Sequence, residues 1–100
     1  MTRGTWRGRL RHMYRATVIC TGLSDSEGSQ AAKDILEGFA ERPWHQDVQC
    51  EWTGSVLRLF ATNDFDPIGD ALLDEFTDEV FANVNFKGTI RTSVESVTEL

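Results

Sequence analysis

The stretch HQDVQCEWTGSVLRLFAT, residues 45–62, carries the clearest structural signal in the sequence. Apolar and polar residues alternate through 47–52, a Thr-Gly pair follows, and apolar residues again occupy every second position from Leu57 to Ala61. Alternation with a period of two is typical of strands with one buried face, and a tight turn joins such strands into an antiparallel hairpin. The apolar residues that share one face are Val48, Cys50, Trp52, Leu57, Leu59 and Ala61, and Val56, Arg58 and Phe60 fall on the opposite face of the second strand.

A strand and a helix are predicted upstream of this hairpin. Tyr14–Thr21, YRATVICT, is rich in β-branched and apolar residues, as strands are. Ser24 and Glu27 have the spacing of a capping box, with Ser26 as the alternative cap. Two glycines weaken the helix that follows, so packing must hold it. Pro43 is expected to stop it. Its predicted apolar face consists of Ala32, Ile35, Leu36, Phe39 and Ala40.

A second helix and a final strand are predicted downstream. Asp66 is the expected N-cap and Pro67 the first helical residue, with the helix running to about Ala82. Residues 88–97 read as the last strand. The order β-α-β-β-α-β matches the ferredoxin-like α+β fold, with one four-stranded antiparallel sheet and two helices on one face. The right-handed crossover rule then places the first and third strands at the centre.

Charge is distributed unevenly along the chain. Residues 16–100 hold five basic residues against all sixteen acids, a net charge of −11. Residues 1–12 are predicted to be a basic, flexible arm, or an upstream extension if Met13 is the biological start. A third option is that this arm folds back onto the acidic body. Residues 13–100 are predicted to form a single domain. The other five basic residues, all within the first fifteen positions, are Arg3, Arg7, Arg9, Arg11 and Arg15.

The second predicted helix has one apolar face and one acidic face. No Lys or Arg occurs between Leu59 and Phe86. At 100° per residue, the apolar stripe contains Leu72, Leu73, Phe76, Val80 and Val84. The opposite half contains Asp70, Asp74, Glu75, Asp78 and Glu79. Like charges four residues apart cost a helix about 0.2–0.5 kcal/mol each, so stability alone does not favour this pattern.

Two explanations of the acidic face remain open. It is either the solvated face of an acidic soluble protein or a surface that meets a basic partner. In the second case, carboxylates along a helix imitate the phosphates of a nucleic acid and speed association with a basic groove. The predicted partner-binding residues are Asp64, Asp66, Asp70, Asp74, Glu75, Asp78, Glu79 and Phe81, the last as an aromatic anchor.

The sequence contains no motif for catalysis, for a metal or for a cofactor, and none of the three is predicted. His12 and His45 have no Cys or His at ligand spacing, and His45 is expected to be a surface or cap residue. Cys20 and Cys50 are expected to be buried, reduced thiols. The segment GLSDSEGSQ lacks the Gly-Lys-Ser/Thr ending of a phosphate loop. It also carries two acids, which repel phosphate, so it is not predicted to bind phosphate. No apolar run approaches the roughly 18 residues of a membrane span, so a cytoplasmic protein is expected.

Three functional classes follow. In its size, its acidity and its lack of catalytic motifs, the chain resembles small phage- or plasmid-borne inhibitors such as anti-CRISPR proteins, and also toxin-neutralising immunity proteins. This resemblance implies a non-catalytic inhibitor or regulator whose acidic helix excludes nucleic acid from a basic protein. The alternative is a small-molecule-sensing or dimerisation module, monomeric or homodimeric, and an enzyme is the third class. Direct binding of nucleic acid by the acidic body is not expected, although Arg58 and Phe60 fall on the open sheet face.

Overall fold

The structure is a computed structural model that describes residues 12–100. The predicted arm therefore lies outside the described residues except for His12. Arg15, counted with the basic N-terminal residues, lies within the first strand. The helices and strands in chain order are β1 (Tyr14–Thr21), α1 (Asp25–Phe39), β2 (Gln46–Trp52), β3 (Val56–Asn63), α2 (Asp70–Asn83) and β4 (Arg91–Glu99).

The four strands form one antiparallel sheet in the order β2-β3-β1-β4. The prediction that the first and third strands lie at the centre is confirmed, and the fold is the ferredoxin-like α+β arrangement. β4 carries a bulge: Thr17 pairs with Ser96 and Val18 pairs with Val94, so Glu95 has no partner residue on β1. β4 begins and ends later than the predicted 88–97. Within the described residues, neither helix is long and apolar enough to cross a membrane.

The core lies between the sheet and the two helices. The hairpin residues Leu57, Leu59 and Ala61 are fully buried there, as the alternation predicts. Burial of large apolar side chains from every layer is what makes so short a chain fold around one centre. The other buried apolar residues are Ala16, Val18 and Cys20 from β1, Leu23, Ala31, Ile35 and Phe39 from around α1, and Leu72, Phe76 and Val80 from α2.

The capping box at the start of α1 is confirmed. Ser24 Oγ accepts from Glu27 N, and Ser24 N donates to Glu27 Oε1 at 2.8 Å. The backbone N–H of Lys87 also donates to Glu27 Oε2 at 3.2 Å. These hydrogen bonds favour the ionised carboxylate, so the Ser24 backbone N–H and its neighbours lower the pKa of Glu27. A carboxylate therefore occupies the helix N-terminus, where a phosphate loop would bind its ligand.

The predicted apolar face of α1 is partly wrong. The structure buries Gly28, Ala31, Ile35 and Phe39. Leu36 is 41% exposed, and Ala40 lies after the last helical residue. The buried line is rotated because the six-membered ring of Trp52 packs directly on the backbone of Gly28. The Trp52 Nε1–H also donates to Asp25 Oδ1 at 2.6 Å. The glycine that weakens the helix in isolation thus lets it approach β2.

The predicted start of α2 is also wrong. The N-cap is Gly69 in a left-handed conformation, φ 84°, which disfavours residues with a side chain. Asp66 and Pro67 lie in the preceding connection. Asp66 is nevertheless buried, and its carboxylate accepts from Gly69 N at 3.0 Å and Leu72 N at 3.1 Å. Asp66 therefore satisfies the N–H of the N-cap residue and one free N–H group of the first turn from outside the helix.

We expect Gly28→Ala to lower the free energy of unfolding by about 1–3 kcal/mol, because the new methyl group overlaps the Trp52 ring. In a solvent-exposed helix the same change would instead raise the free energy of unfolding, by at most about 1 kcal/mol. Ser29 is exposed on the same helix and lies next to Gly28. Ser29→Ala is therefore the control and should stay within about 1 kcal/mol of wild type in urea unfolding. A Gly28→Ala protein as stable as wild type would contradict the close packing on Trp52.

Candidate functional site

The acidic side chains of α2 divide into an outward row and an inward pair. Asp70, Asp74 and Asp78 are exposed, and none forms an ion pair with another residue in the described range 12–100. Their spacing of four residues places them about 6 Å apart along the helix axis. We call these three residues the outward row. It is the part of the predicted acidic surface that presents uncompensated charge to solvent.

Glu75 and Glu79 form the inward pair, and one cation, Arg42, compensates part of their charge. Arg42 Nη1 lies 2.8 Å from Glu79 Oε2, and Arg42 Nε lies 3.6 Å from Glu75 Oε1. Arg42 also donates to the Gly38 carbonyl at 3.0 Å, at the C-terminal end of α1. The acidic stretch has no Lys or Arg of its own, yet a cation from another part of the chain pairs with these two carboxylates. Arg42 lies outside the acidic stretch and reaches it only because α1 packs against α2.

His45 is buried, so its prediction as a surface or cap residue is wrong. Its side chain has no exposed area, and its Nε2 lies 2.7 Å from Glu75 Oε1. The rings of Phe39, Trp44 and Phe65 surround it, with centroids 5.7–6.2 Å away. The structure thus contains a carboxylate–histidine pair that sequence reasoning missed. The two residues are 30 positions apart, and no local spacing connects them.

Asn63, at the end of β3, holds the other side of the His45 ring. Its Nδ2 lies 3.3 Å from His45 Nδ1. Its Oδ1 accepts from the backbone N–H groups of Phe65 at 3.2 Å and Asp66 at 2.9 Å, which forms an Asx turn. Asn63 therefore connects β3 and the entrance of β2 to the connection that precedes α2.

The remaining predicted partner-binding residues lie in different environments. Asp66 is committed to the α2 N-terminus, as described above. Asp64 is half-buried and takes part in a contact of its own. Phe81 is 61% exposed and packs edge-to-face on Phe86, with ring centroids 5.4 Å apart. Phe81 follows Asp78 by three residues, so it continues the exposed face of α2 toward its C-terminus.

A shallow, open groove of about 700 Å³ lies beside the inward pair. Trp44 forms one wall, with 48% of its surface exposed, and its Nε1–H donates to Glu75 Oε2 at 3.3 Å. Glu41 adds an exposed carboxylate to the groove. The groove combines an aromatic surface with carboxylates, which are the groups that contact cationic side chains.

The open sheet face offers few free groups. Arg58 donates to both oxygens of Glu95 at 3.0 Å and lies 3.5 Å from Glu51. The Arg58 guanidinium lowers the pKa of Glu95 accordingly. The Arg15 guanidinium lies over the Phe60 ring at 5.7 Å. The Arg58 and Phe60 side chains proposed for this face are thus both engaged within the protein.

Two further features restrict the chemistry of the described residues. Cys20 and Cys50 are free thiols, and burial raises the pKa of Cys20 to about 11 and that of Cys50 to about 12. Such thiols carry almost no thiolate at neutral pH and are poor nucleophiles. Among residues 12–100, no group of three or more His, Cys, Asp or Glu side chains is arranged to hold a metal ion.

No protein-family model, curated protein or solved structure matches this chain at a significant level.

We expect Asn63→Ala to lower the free energy of unfolding by about 2–4 kcal/mol. The substitution leaves two backbone N–H groups and one ring nitrogen without partners, and each buried unpaired group costs roughly 1–3 kcal/mol. The matched control is Asn85→Ala, because Asn85 is exposed and lies outside the helices and strands. Urea unfolding of the three proteins checks the prediction. Equal effects of the two substitutions would show that the Asx turn contributes little.

Proposed function

We propose that this chain is a non-catalytic inhibitor or regulator whose acidic α2 surface engages a basic, nucleic-acid-binding protein, in the manner of anti-CRISPR or immunity-type proteins. The observation that carries the proposal is the division of the α2 carboxylates. Arg42 forms ion pairs with the inward pair and His45 hydrogen-bonds Glu75, whereas the outward row has no cation in the described structure. Charge is thus compensated where α2 meets the rest of the protein and left free where a partner can reach it.

The outward row has a suitable geometry for a basic groove. Single charges about 6 Å apart on a rigid helix give a regular negative edge. Such an edge attracts Lys and Arg side chains before contact and raises the association rate. Because α2 packs on the core through Leu72, Phe76 and Val80, it presents these charges without an ordering cost. A partner groove occupied by this edge is closed to nucleic acid.

Exposed aromatic side chains near the carboxylates add to the proposal. Phe81 lies at the C-terminal end of the outward row, and Trp44 lies beside the inward pair. Interfaces draw most of their affinity from a few buried anchors, among which Trp is prominent, while charges at the rim determine rate and orientation. In the proposed complex these two aromatics supply affinity and the outward row supplies steering.

We expect Asp74→Ala to raise the free energy of unfolding by about 0.5–1.5 kcal/mol. It removes two like-charge contacts, with Asp70 and Asp78, of about 0.2–0.5 kcal/mol each, and it adds a better helix former. Roughly 1 M salt should abolish the electrostatic part of the gain. Glu37→Ala on the exposed face of α1 is the control, because the attraction between Glu37 and Lys33 at i−4 offsets the repulsion from Asp34 at i−3, so its removal gives little net electrostatic gain. Urea unfolding at two salt concentrations measures both changes.

Binding is tested with a matched pair of double variants. We expect Asp74→Asn with Asp78→Asn to weaken retention of a basic nucleic-acid-binding protein from host lysate at least tenfold. Glu37→Gln with Asp47→Asn makes the same change of net charge on exposed residues elsewhere and should retain the partner. Salt and duplex DNA should each displace the partner from the wild-type protein. Circular dichroism first verifies that every variant is folded.

Three results would count against the proposal. Equal loss in both double variants would mean that net charge, and not the outward row, attracts the partner. If both double variants retain the partner as wild type does, the acidic face of α2 is only a solvated surface. Absence of any retained protein, together with a stable dimer in light scattering or a small molecule that raises the melting temperature, would support the sensing or dimerisation module instead.

A further inference from the structure

The orientation of the Asn63 side-chain amide is determined by backbone hydrogen bonds. An amide oxygen accepts and an amide nitrogen donates, and two backbone N–H groups point at one end of this side chain. That end must therefore be Oδ1, and the end that faces His45 must be the Nδ2 amine. Asn63 is only 2% exposed, so water cannot readily replace these partners.

This orientation determines the protonation pattern of His45. Because Asn63 Nδ2 donates, His45 Nδ1 must accept and carries no proton. The ring proton then lies on Nε2, which donates to the Glu75 carboxylate at 2.7 Å. The hydrogen bonds of the described structure are therefore satisfied by the neutral Nε2–H tautomer.

A second proton on the ring is incompatible with these contacts. It would lie on Nδ1 and point at the Asn63 amine, so two donors would face each other. Rotating the amide by 180° would relieve this contact but would turn the amine toward the N–H groups of Phe65 and Asp66. Protonation of His45 therefore breaks either the contact with Asn63 or the Asx turn.

The charged groups around the ring come from four parts of the chain. Glu75 of α2 contacts Nε2 directly, and Arg42, from the segment after α1, lies 3.6 Å from that carboxylate. Asp64 and Asp66 lie in the segment between β3 and α2, and Asp47 lies two residues beyond His45.

We propose that His45 acts as an acid-sensitive latch on residues 64–69, the segment that joins β3 to α2. With a neutral ring, His45 holds the Asn63 side chain in the orientation that forms the Asx turn and keeps the capping Asp66 in place. When the ring gains its second proton, the latch opens and the segment loosens together with the first turn of α2. Phe65 and Ile68, which are 47% and 63% exposed, then lose their defined positions beside Asp70. Histidine suits such a device because its ordinary titration range lies near physiological pH.

Nuclear magnetic resonance of the intact chain tests the latch without any partner. At neutral pH the His45 ring should show Nε2 protonated and Nδ1 unprotonated. During acid titration, the amide signals of Phe65, Asp66, Gly69 and Leu72 should move with the same midpoint as the His45 ring carbons. Hydrogen exchange at Gly69 and Leu72, corrected for its intrinsic pH dependence, should accelerate at least tenfold. The amides of Cys20 and Leu57 serve as references in the sheet and should not follow the ring.

Asn63→Asp is the diagnostic variant. A carboxylate can accept from the Phe65 and Asp66 N–H groups with one oxygen and from a protonated Nδ1–H with the other. In this variant the ring should titrate while the four amides stay in place. The wild-type titration alone decides the matter if the variant does not fold.

Several outcomes would overturn the latch. They are amides that stay fixed while the wild-type ring titrates, identical movement in Asn63→Asp, and a ring that remains neutral until the whole protein unfolds. A neutral ring protonated on Nδ1 would also contradict the hydrogen bonds on which the latch depends. None of these outcomes bears on whether α2 binds a basic partner, so the two proposals fail independently.

Discussion

The hydrogen bonds of the Asn63 side chain are the interaction on which the region around His45 and the start of α2 depends. A single buried amide ends β3, orients His45 at the entrance of β2 and shapes the turn that leads to α2. His45 in turn contacts the Glu75 carboxylate, and Glu75 contacts Arg42. Three segments far apart in sequence are thus tied by hydrogen bonds between groups that water cannot readily solvate. Unpaired members of such a network are costly, so the arrangement tolerates little displacement.

The order of helices and strands follows from the sequence because it rests on local patterns. The alternation in the hairpin, the β-branched run of β1 and the Ser24–Glu27 spacing each reflect contacts between near neighbours. Predicting the order of the strands in the sheet needs only one further rule, the right-handedness of connections between parallel strands. The errors arise where distant residues intervene. Trp52 rotates the buried line of α1 through its contact with Gly28, and no periodicity within α1 records that contact.

The candidate site could be predicted only in part for the same reason. Sequence periodicity places the carboxylates on the exposed half of α2 and is correct about the outward row. It cannot show that Arg42 reaches Glu79 across 37 positions, nor that His45 is buried against Glu75. Asp66 illustrates the intermediate case: its capping role was anticipated, but the helix begins three residues later because Gly69 adopts a left-handed conformation. Residue type predicted the interaction, and backbone geometry decided where it acts.

The bulge at Glu95 has a consequence for association between molecules through the edge of the sheet. β4 is an edge strand of nine residues, long enough to recruit a strand from another molecule. The unmatched Glu95 interrupts the even spacing of backbone groups along that edge, and Arg58 anchors its carboxylate across the sheet. An incoming strand would meet a break in register in the middle of β4 and a fixed charge beside it. A bulge of this kind makes an edge strand a poorer template for edge-to-edge pairing.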